Sequence, residues 1–163
     1  MEEDSVSLKK RLHALFLGFG LSMTFFAAAQ RTEAILGESA DTVELDRKAL
    51  TAVRGATTVH TNYTVHGLNS DSTIVREYIS PSGVVFGIAW KGLTHPDLAQ
   101  LLGSYAGEYQ EALSKTPRQQ GRRHLQVKTN RIVVEKWGHM RNLQGRAYAP
   151  DLIPPGVSVD EIR

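Results

Sequence analysis

The chain has 163 residues with 19 basic and 17 acidic side chains, a formal net charge of +2. That length favours one domain over two, and the nearly balanced charge lacks the basic footprint of a nucleic-acid-binding protein. Because the sequence contains no cysteine, disulfide bridges, thiolate nucleophiles and cysteine-ligated metals are excluded.

The first 34 residues have the pattern of an export signal. Lys9-Lys10-Arg11 is a compact positive segment, and residues 12–29 are nearly all apolar or small. Small residues then precede a predicted cleavage site after Ala34, which leaves one domain over residues 35–163. The apolar run of about 18 residues is also just long enough to span a bilayer, so a retained N-terminal anchor is the alternative. Either way, we expect the domain to lie outside the cytoplasm, in the periplasm or at the cell surface.

The first half of the domain predicts a short helix and three strands. Ser39 has the character of a helix cap, and a sparse helical repeat continues to Val53. The pattern then alternates with a period of two, which predicts strands over residues 60–66, 73–79 and 84–90. The third strand is apolar on both faces, so it is expected to be central, with a packing partner on each side.

The second half begins with a long helix. Pro96 is expected in the first turn of this helix, and an apolar stripe at spacings of three and four runs from Leu98 to Leu113. Gly103 and Gly107 fall inside the helix, where each is unfavourable relative to alanine. They either let the helix sit close on the sheet or divide it into two pieces.

Three more strands and a capped turn complete the domain. Alternating residues predict strands over 123–128, 131–137 and 142–148, and Ser158 is placed to cap a last helical turn. Hairpin-length connections make each group of three strands an antiparallel meander. The expected fold class is therefore α+β: an antiparallel sheet of about six strands in two three-strand meanders, with one long helix on a face and a short N-terminal helix.

Several segments resemble one bacterial family along nearly the whole domain. They are Tyr63-Thr-Val-His66, Val75-Arg-Glu-Tyr78, Ser80-Pro81-x-Gly83, Trp90-x-Gly92, Leu101-Leu-Gly103-x-Tyr105, Gly138-His-Met-Arg141 and Gly145-Arg-Ala-Tyr148-x-Pro150. In these segments the chain resembles the bacterial domain-of-unknown-function family 2844, from about Leu36 onward. The resemblance implies an exported, periplasmic or cell-surface protein, and it supplies no reaction, ligand or functional residue.

Catalytic and metal-binding patterns are weak in this sequence. His60 and His66 share a predicted strand face, but six residues of strand separate them by about 20 Å, too far for one ion. No short ligand spacing such as His-Glu-x-x-His occurs. We therefore expect no metal and no cofactor. The enzymatic alternative is a small envelope hydrolase that uses a carboxylate such as Glu77 or Glu135 together with His139.

One candidate site is the basic segment between Glu111 and Glu135, which contains no acidic residue. Its cations are Lys115, Arg118, Arg122, Arg123, Lys128 and Arg131. Outside the cell, such a patch suits lipopolysaccharide phosphates, an anionic polysaccharide or an acidic partner. The alternative is a solvated loop and strand edge whose charges discourage sheet-to-sheet aggregation.

A second candidate site combines arginine with aromatic side chains. Its members are Arg76, Tyr78, Trp90, His139, Arg146 and Tyr148. If the strands that carry Arg76 and Arg146 are neighbours, these side chains form a surface of the composition that binding hot spots favour. Otherwise Trp90 belongs to the core and the arginines pair with Glu77 and Glu135.

Taken together, the export signal and the absence of a catalytic motif favour a non-enzymatic binding or accessory domain. Its expected partner is another envelope protein or an anionic glycan or lipid surface, and not a nucleic acid. A self-associating structural protein that uses an exposed sheet edge is a further alternative to the hydrolase. A concave pocket holding two of the catalytic candidates would favour the hydrolase.

Overall fold

The computed structural model describes residues 35–39, 53–117, 121 and 123–163. The predicted export signal and residues 40–52 of the predicted N-terminal helix fall outside these residues, as do Arg118 and Arg122. Within the described ranges, no helix is long and apolar enough to cross a membrane.

A seven-stranded antiparallel sheet forms the body of the domain. Its strands are β1 (Val53–Val59), β2 (Thr64–Asn69), β3 (Thr73–Ile79), β4 (Val85–Gly92), β5 (His124–Lys128), β6 (Val133–His139) and β7 (Asn142–Tyr148). Their order across the sheet is β1-β2-β3-β4-β7-β6-β5, and every neighbouring pair is antiparallel. The predicted antiparallel meander of β5, β6 and β7 is confirmed, whereas the first meander has a fourth strand, β1, so the sheet has seven strands and not about six. The two meanders join through the pairing of β4 with β7.

The strand β1 corrects the prediction for the first part of the domain. Val53 was placed at the end of a helix, and the first strand was expected to begin at His60. Instead, Val53 begins β1, and residues 60–63 form the turn to β2, in which the His60 N–H donates to the Tyr63 carbonyl at 2.8 Å. Among the described residues, β1 pairs only with β2, and its residues 56–59 are exposed, so it lacks the alternating burial that reveals a strand in a sequence.

The predicted long helix is present in three pieces. α1 (Leu98–Leu102) is followed by a 3₁₀ turn (Gly103–Tyr105) and by α2 (Ala106–Lys115). Asp97 caps α1 by accepting the Ala99 N–H at 2.9 Å, so Pro96 lies before the cap and not in the first turn as predicted. The apolar stripe packs on the sheet as expected.

The two glycines of this helical segment have different roles. Gly103 has φ +47° and is the point at which the helix divides, and a Cβ there would lie 1.9 Å from Cγ2 of Ile35. Gly107 is exposed, and a Cβ there would meet nothing within 4 Å. The sequence left both roles open for either residue, and the structure assigns the break to Gly103.

Alanine substitution should separate these two roles. We expect Gly107→Ala to raise the free energy of unfolding by about 0.5–1 kcal/mol, because alanine restricts the unfolded chain and favours helix. Gly103→Ala should lower it by at least about 1 kcal/mol, through a disfavoured φ and a clash. Urea unfolding of both variants measures the difference. A stabilised Gly103→Ala protein would contradict the assignment of the helix break.

The central strand β4 is covered on both faces, as its sequence predicts. On one face, Ile88 and Trp90 pack in the main core beneath α1 and α2. On the other face, Phe86 and Ala89 pack in a second core that includes Ile162 from the C-terminal segment. We call these the helix face and the tail face of the sheet.

The C-terminal segment, residues 150–163, provides the second cover. It contains two 3₁₀ turns, Pro150–Leu152 and Val159–Glu161. The predicted cap at Ser158 is confirmed: its hydroxyl accepts a backbone N–H of the second turn, and the Glu161 side chain accepts the Ser158 N–H. Ile162 is fully buried over Gly87, where a Cβ would approach its Cδ1 to 2.9 Å.

Candidate functional site

The structure divides the predicted arginine–aromatic set between the two faces of the sheet. Arg76, Tyr78, Arg146 and Tyr148 lie on the tail face, on β3 and β7, which are separated by β4. Trp90 lies on the helix face and is 3% exposed, so it belongs to the core. His139 ends β6 and is exposed. The six residues therefore do not form one continuous surface.

Three members of this set hold the C-terminal segment on the sheet. Arg76 donates to the backbone oxygen of Arg163 at 3.0 Å, and the Tyr78 hydroxyl donates to the same oxygen at 2.8 Å. The Tyr78 hydroxyl also accepts the Arg163 N–H at 3.0 Å. Arg146 donates to the Val159 carbonyl at 2.8 Å. These contacts give the three side chains a structural task within the chain.

Arg146 also forms a mostly buried ion pair with Glu135 on the neighbouring strand β6. The two side chains are 17% and 10% exposed, and Gln126 donates a further hydrogen bond to Glu135 at 2.7 Å. Burial, followed by the Glu135 charge, raises the pKa of the nearby Tyr148. The carboxylate of Glu135 is therefore occupied by its ion pair with Arg146 and its hydrogen bond from Gln126, which link neighbouring strands of the sheet.

An open cavity of about 450 Å³ lies beside the end of the C-terminal segment on the tail face. Tyr63, Arg76 and Tyr78 contribute to its walls. Burial, together with a hydrogen bond of 2.8 Å that it donates to Glu161, raises the pKa of Tyr63 to about 12. The Ser158 N–H and the Tyr63 hydroxyl lower the pKa of Glu161. The polar groups of this cavity thus hold one another and the C-terminal segment.

The described members of the predicted basic segment are dispersed. Lys115 pairs with Glu111 at 2.6 Å. Arg131 lies 3.9 Å from Glu108 and stacks over the Tyr105 ring at 4.3 Å.

The remaining two described cations, Arg123 and Lys128, stand at opposite ends of β5, roughly 17 Å apart along the strand. Of the four predicted positions that the structure describes, Arg123 is the one that lines a cavity together with another cation, Lys136.

That cavity is a basic cleft of about 260 Å³ between the segment before α1 and strands β5, β6 and β7. Its lining residues are His95, Arg123, His124, Leu125, Lys136, Trp137, Gly138 and Leu143. No carboxylate lines it, and neither Arg123 nor Lys136 forms an ion pair with any residue of the described ranges. Lys136 is half-buried on the helix face, with Nζ 5.8 Å from the Tyr109 ring centre of α2.

Trp90, a member of the arginine–aromatic set, positions one wall of the basic cleft. Its indole N–H donates to Nδ1 of His95 at 2.9 Å. An indole nitrogen is only a donor, so Nδ1 of His95 must be the acceptor and its proton stands on Nε2. The indole lies over Gly145, where a Cβ would approach Cζ2 of Trp90 to 2.3 Å. A glycine on β7 thus makes room for the ring that orients His95.

His95 is held in its neutral form. Burial, and after it the charge of Lys136, lowers the pKa of His95 below its ordinary value of 6.5. The hydrogen bond from Trp90 acts in the same direction because it occupies the lone pair that a second proton would need. His95 therefore offers the cleft a neutral N–H donor near pH 7.

His95 should give the fold a measurable pH dependence. Because its folded-state pKa is lowered, the unfolded chain binds a proton first as the pH falls, and stability is lost from about pH 6.5 toward the folded-state pKa. We expect the urea midpoint of the wild type to fall more steeply between about pH 7.5 and about pH 5 than that of His95→Gln. Equal slopes in the two proteins would contradict a lowered pKa at His95.

The groups that the hydrolase alternative needs are separated. Glu77 is fully buried on β3 and faces the helix side of the sheet, opposite Ile88. Glu135 lies on the tail face in its ion pair, and His139 is four residues farther along β6, about 13 Å away. Among the described residues, no group of three histidine, aspartate or glutamate side chains could hold a metal ion.

Two residues of the basic cleft, His95 and Lys136, were absent from both predicted sets. Lys136 has the clearer sequence signal, since it stands two positions after the buried Val134 and so falls on the core-facing side of β6. A lysine on such a face without a carboxylate partner is rare in a core. His95 gave no signal, because its contact with Trp90 exists only in the folded chain.

Comparison with known proteins gives a family and no described activity. Neither the curated proteins nor the solved structures contain a match to this chain. A family model described as "Protein of unknown function (DUF2844)" matches residues 32–162, which is most of the chain. This protein therefore belongs to the DUF2844 family.

Proposed function

We propose that this protein is an exported, non-enzymatic binding domain that takes an anionic ligand in the basic cleft. The observation that carries the proposal is a concave site lined by Arg123, Lys136 and His95 with no carboxylate in its walls. The ligand class is an anionic glycan, lipid or acidic protein group of the cell envelope.

The charge state of Lys136 supports an anionic ligand. The Lys136 residue is half-buried in the wall of the cleft, and within the described residues no carboxylate forms an ion pair with its ammonium group. An anion that enters the cleft restores the missing interaction and gains from the reduced local dielectric. Arg123, at the more exposed rim, adds a planar fork of donors suited to carboxylate or phosphate oxygens.

The preformed geometry of the cleft supports binding without chemistry. Trp90 fixes the His95 ring from the core, and Leu125 and Leu143 supply apolar wall. The carboxylates that hydrolysis would need lie elsewhere and are held in other contacts. Export is supported by the positive segment and the apolar run at the N-terminus.

Titration of the full chain with dextran sulfate, glucuronate and glucose 6-phosphate tests the proposal. We expect amide chemical-shift changes centred on the cleft, at His95, Leu125 and Lys136. Lys136→Met should lower affinity about tenfold or more, because it removes the positive charge of a half-buried lysine and keeps the aliphatic stem. The stability of this variant should be unchanged or higher, since the residue lost is an uncompensated charge.

Lys128→Met is the matched control. Lys128 is an exposed lysine on the adjacent strand β5 and does not line the cleft. Its substitution should leave affinity within about twofold of the wild type, apart from weak surface screening. Equal losses in the two variants would point to a diffuse basic surface. Absence of binding by all three anions would refute the proposal and direct the search to an uncharged protein partner.

A further inference from the structure

The basic cleft presents hydrogen-bond donors from three separate parts of the chain. His95 precedes α1, Arg123 precedes β5 and Lys136 lies on β6. Arginine and lysine carry no acceptor, and the one lone pair of neutral His95 is occupied by Trp90. The three side chains can therefore only donate. A ligand group that only accepts, and that has an oxygen for each donor, matches them best.

Charge and oxygen number favour phosphate over carboxylate in this site. A phosphomonoester carries about −1.5 to −2 charges at pH 7 and three strong acceptor oxygens. A carboxylate carries one charge and two oxygens. The two positive charges of Arg123 and Lys136 and the neutral N–H of His95 match the charge and the three oxygens of a phosphomonoester. A single carboxylate would leave one of the two cations uncompensated. Resting on the proposed function, we infer that the basic cleft takes a phosphomonoester, bound as its dianion.

The two cations favour the dianion, and the neutral state of His95 lets the ligand's own ionisation govern the pH dependence of binding. The groups that face His95 are the Trp90 indole of β4 and the Lys136 ammonium of β6, while Arg123 and His124 line the same cleft. Protonation of Nδ1 would set two N–H groups against each other at the Trp90 contact. His95 therefore stays neutral near neutral pH. The phosphomonoester, in contrast, gains a second negative charge as the pH rises through its second pKa of about 6.

Two sugars that differ in the charged group give the first test. Calorimetric titration of the full chain with glucose 6-phosphate and with glucuronate should show the phosphate sugar bound about tenfold more tightly. Glucuronate bound as tightly or more tightly would overturn the phosphate inference and leave the proposed anion-binding function standing. Failure of both sugars and of dextran sulfate would overturn the proposed function itself.

The pH profile gives the second test. Glucose 6-sulfate keeps a constant charge, so its affinity reports any change in the cleft alone. The ratio of phosphate to sulfate affinity should rise about fourfold between about pH 5.5 and about pH 7.5, as the dianion fraction grows. A ratio that stays flat or falls would show that binding does not select the dianion, and the inference would fail.

The role of Trp90 as a positioning residue is tested separately from folding. Trp90→Phe keeps an aromatic ring in the core and removes the indole donor. In that variant, Nδ1 of His95 is free to take a proton, so the affinity for glucose 6-sulfate should rise more steeply than in the wild type as the pH falls from about 7.5 to about 5.5. The ¹⁵N shifts of His95 should report the protonated Nε2 tautomer in the wild type and lose that preference in the variant. If the Trp90→Phe variant kept both the His95 tautomer and the wild-type pH profile of binding, the positioning role of Trp90 would be overturned.

Two sources could present the phosphomonoester, and vesicles distinguish them. Vesicles containing phosphatidic acid display a phosphomonoester, and vesicles containing phosphatidylglycerol display only a diester. Binding to the former and not the latter would assign a lipid headgroup. Binding of glucose 6-phosphate without binding to either vesicle would assign a phosphorylated glycan. Equal binding to both vesicles would contradict selection of a monoester.

Discussion

Arg146→Met should lower the free energy of unfolding by about 3 kcal/mol. The guanidinium is the charged partner of Glu135, and both side chains are mostly buried on the tail face. Its removal leaves the carboxylate in a poorly hydrated site with Gln126 as its remaining hydrogen-bond donor in the described chain. The Val159 carbonyl loses its donor as well. Urea unfolding monitored by tryptophan fluorescence measures the loss.

The double variant Glu135→Gln/Arg146→Met is the control for this loss. It removes both charges, so it no longer carries an uncompensated buried carboxylate. We expect it to be more stable than Arg146→Met by at least about 1 kcal/mol, although it lacks one more native group. If the double variant were the less stable protein, the buried charge of Glu135 would not be the cause of the loss. Arg146 would then act mainly through its contact with Val159.

Ile162→Ala should lower the free energy of unfolding by a similar amount, about 3 kcal/mol. Ile162 is fully buried and packs in the second core with Phe86 and Ala89. Truncation to alanine opens a cavity over β4 and weakens the hold on Arg163, which Arg76 and Tyr78 bind. Thermal and urea unfolding of the variant measure the cost, and limited proteolysis reports whether the segment is released.

A compensating pair shows whether Ile162 sits on Gly87. Gly87→Ala alone places a Cβ 2.9 Å from Cδ1 of Ile162 and should lower stability by about 1–2 kcal/mol. Ile162→Val removes Cδ1, so Gly87→Ala/Ile162→Val should recover most of that loss. The nearest remaining Ile162 atoms would be at 3.4 Å or more, an ordinary contact. Strictly additive losses would contradict this packing.

These expectations make the C-terminal segment part of the core and not an appendage. The segment supplies the second cover that β4 requires, and it uses Arg76, Tyr78 and Arg146 to hold its backbone. These arginine and tyrosine side chains, which are typical of binding hot spots, thus form contacts within the chain. On the opposite face, the basic cleft is lined by Arg123 and Lys136, which form no ion pair with any other described residue.

Much of the sheet was predictable because the signal is local. Residues 73–79 and 142–148 form β3 and β7 with the predicted bounds, since alternating burial along a strand leaves a period of two in the sequence. The apolar residues on both sides of β4 predicted its double cover for the same reason. The capped turn at Ser158 followed from a hydroxyl and a carboxylate three residues apart.

The missing strand β1 and the divided helix mark where local pattern was insufficient. β1 is defined by its pairing with β2, and its exposed residues 56–59 show no alternation. The break at Gly103 depends on a positive φ and on the approach of Ile35, a residue 68 positions earlier. The sequence pattern places Gly103 and Gly107 in one helix, and only the backbone conformation and packing of the folded chain distinguish them.

The candidate site was the least predictable part, because a sequence gives the face of a strand and not the order of strands. Trp90 and Arg123 were predicted in different sets, yet the pairing of β4 with β7 and of β7 with β6 brings them to one region through His95 and Lys136.

The sequence by itself determined the α+β class, the antiparallel pairing of the sheet, the central strand and the lack of any cysteine chemistry, since composition and periodicity are properties of short segments. The tertiary structure alone decided which arginines hold the C-terminal segment and which cations face a cleft, because those depend on contacts between residues far apart in the chain.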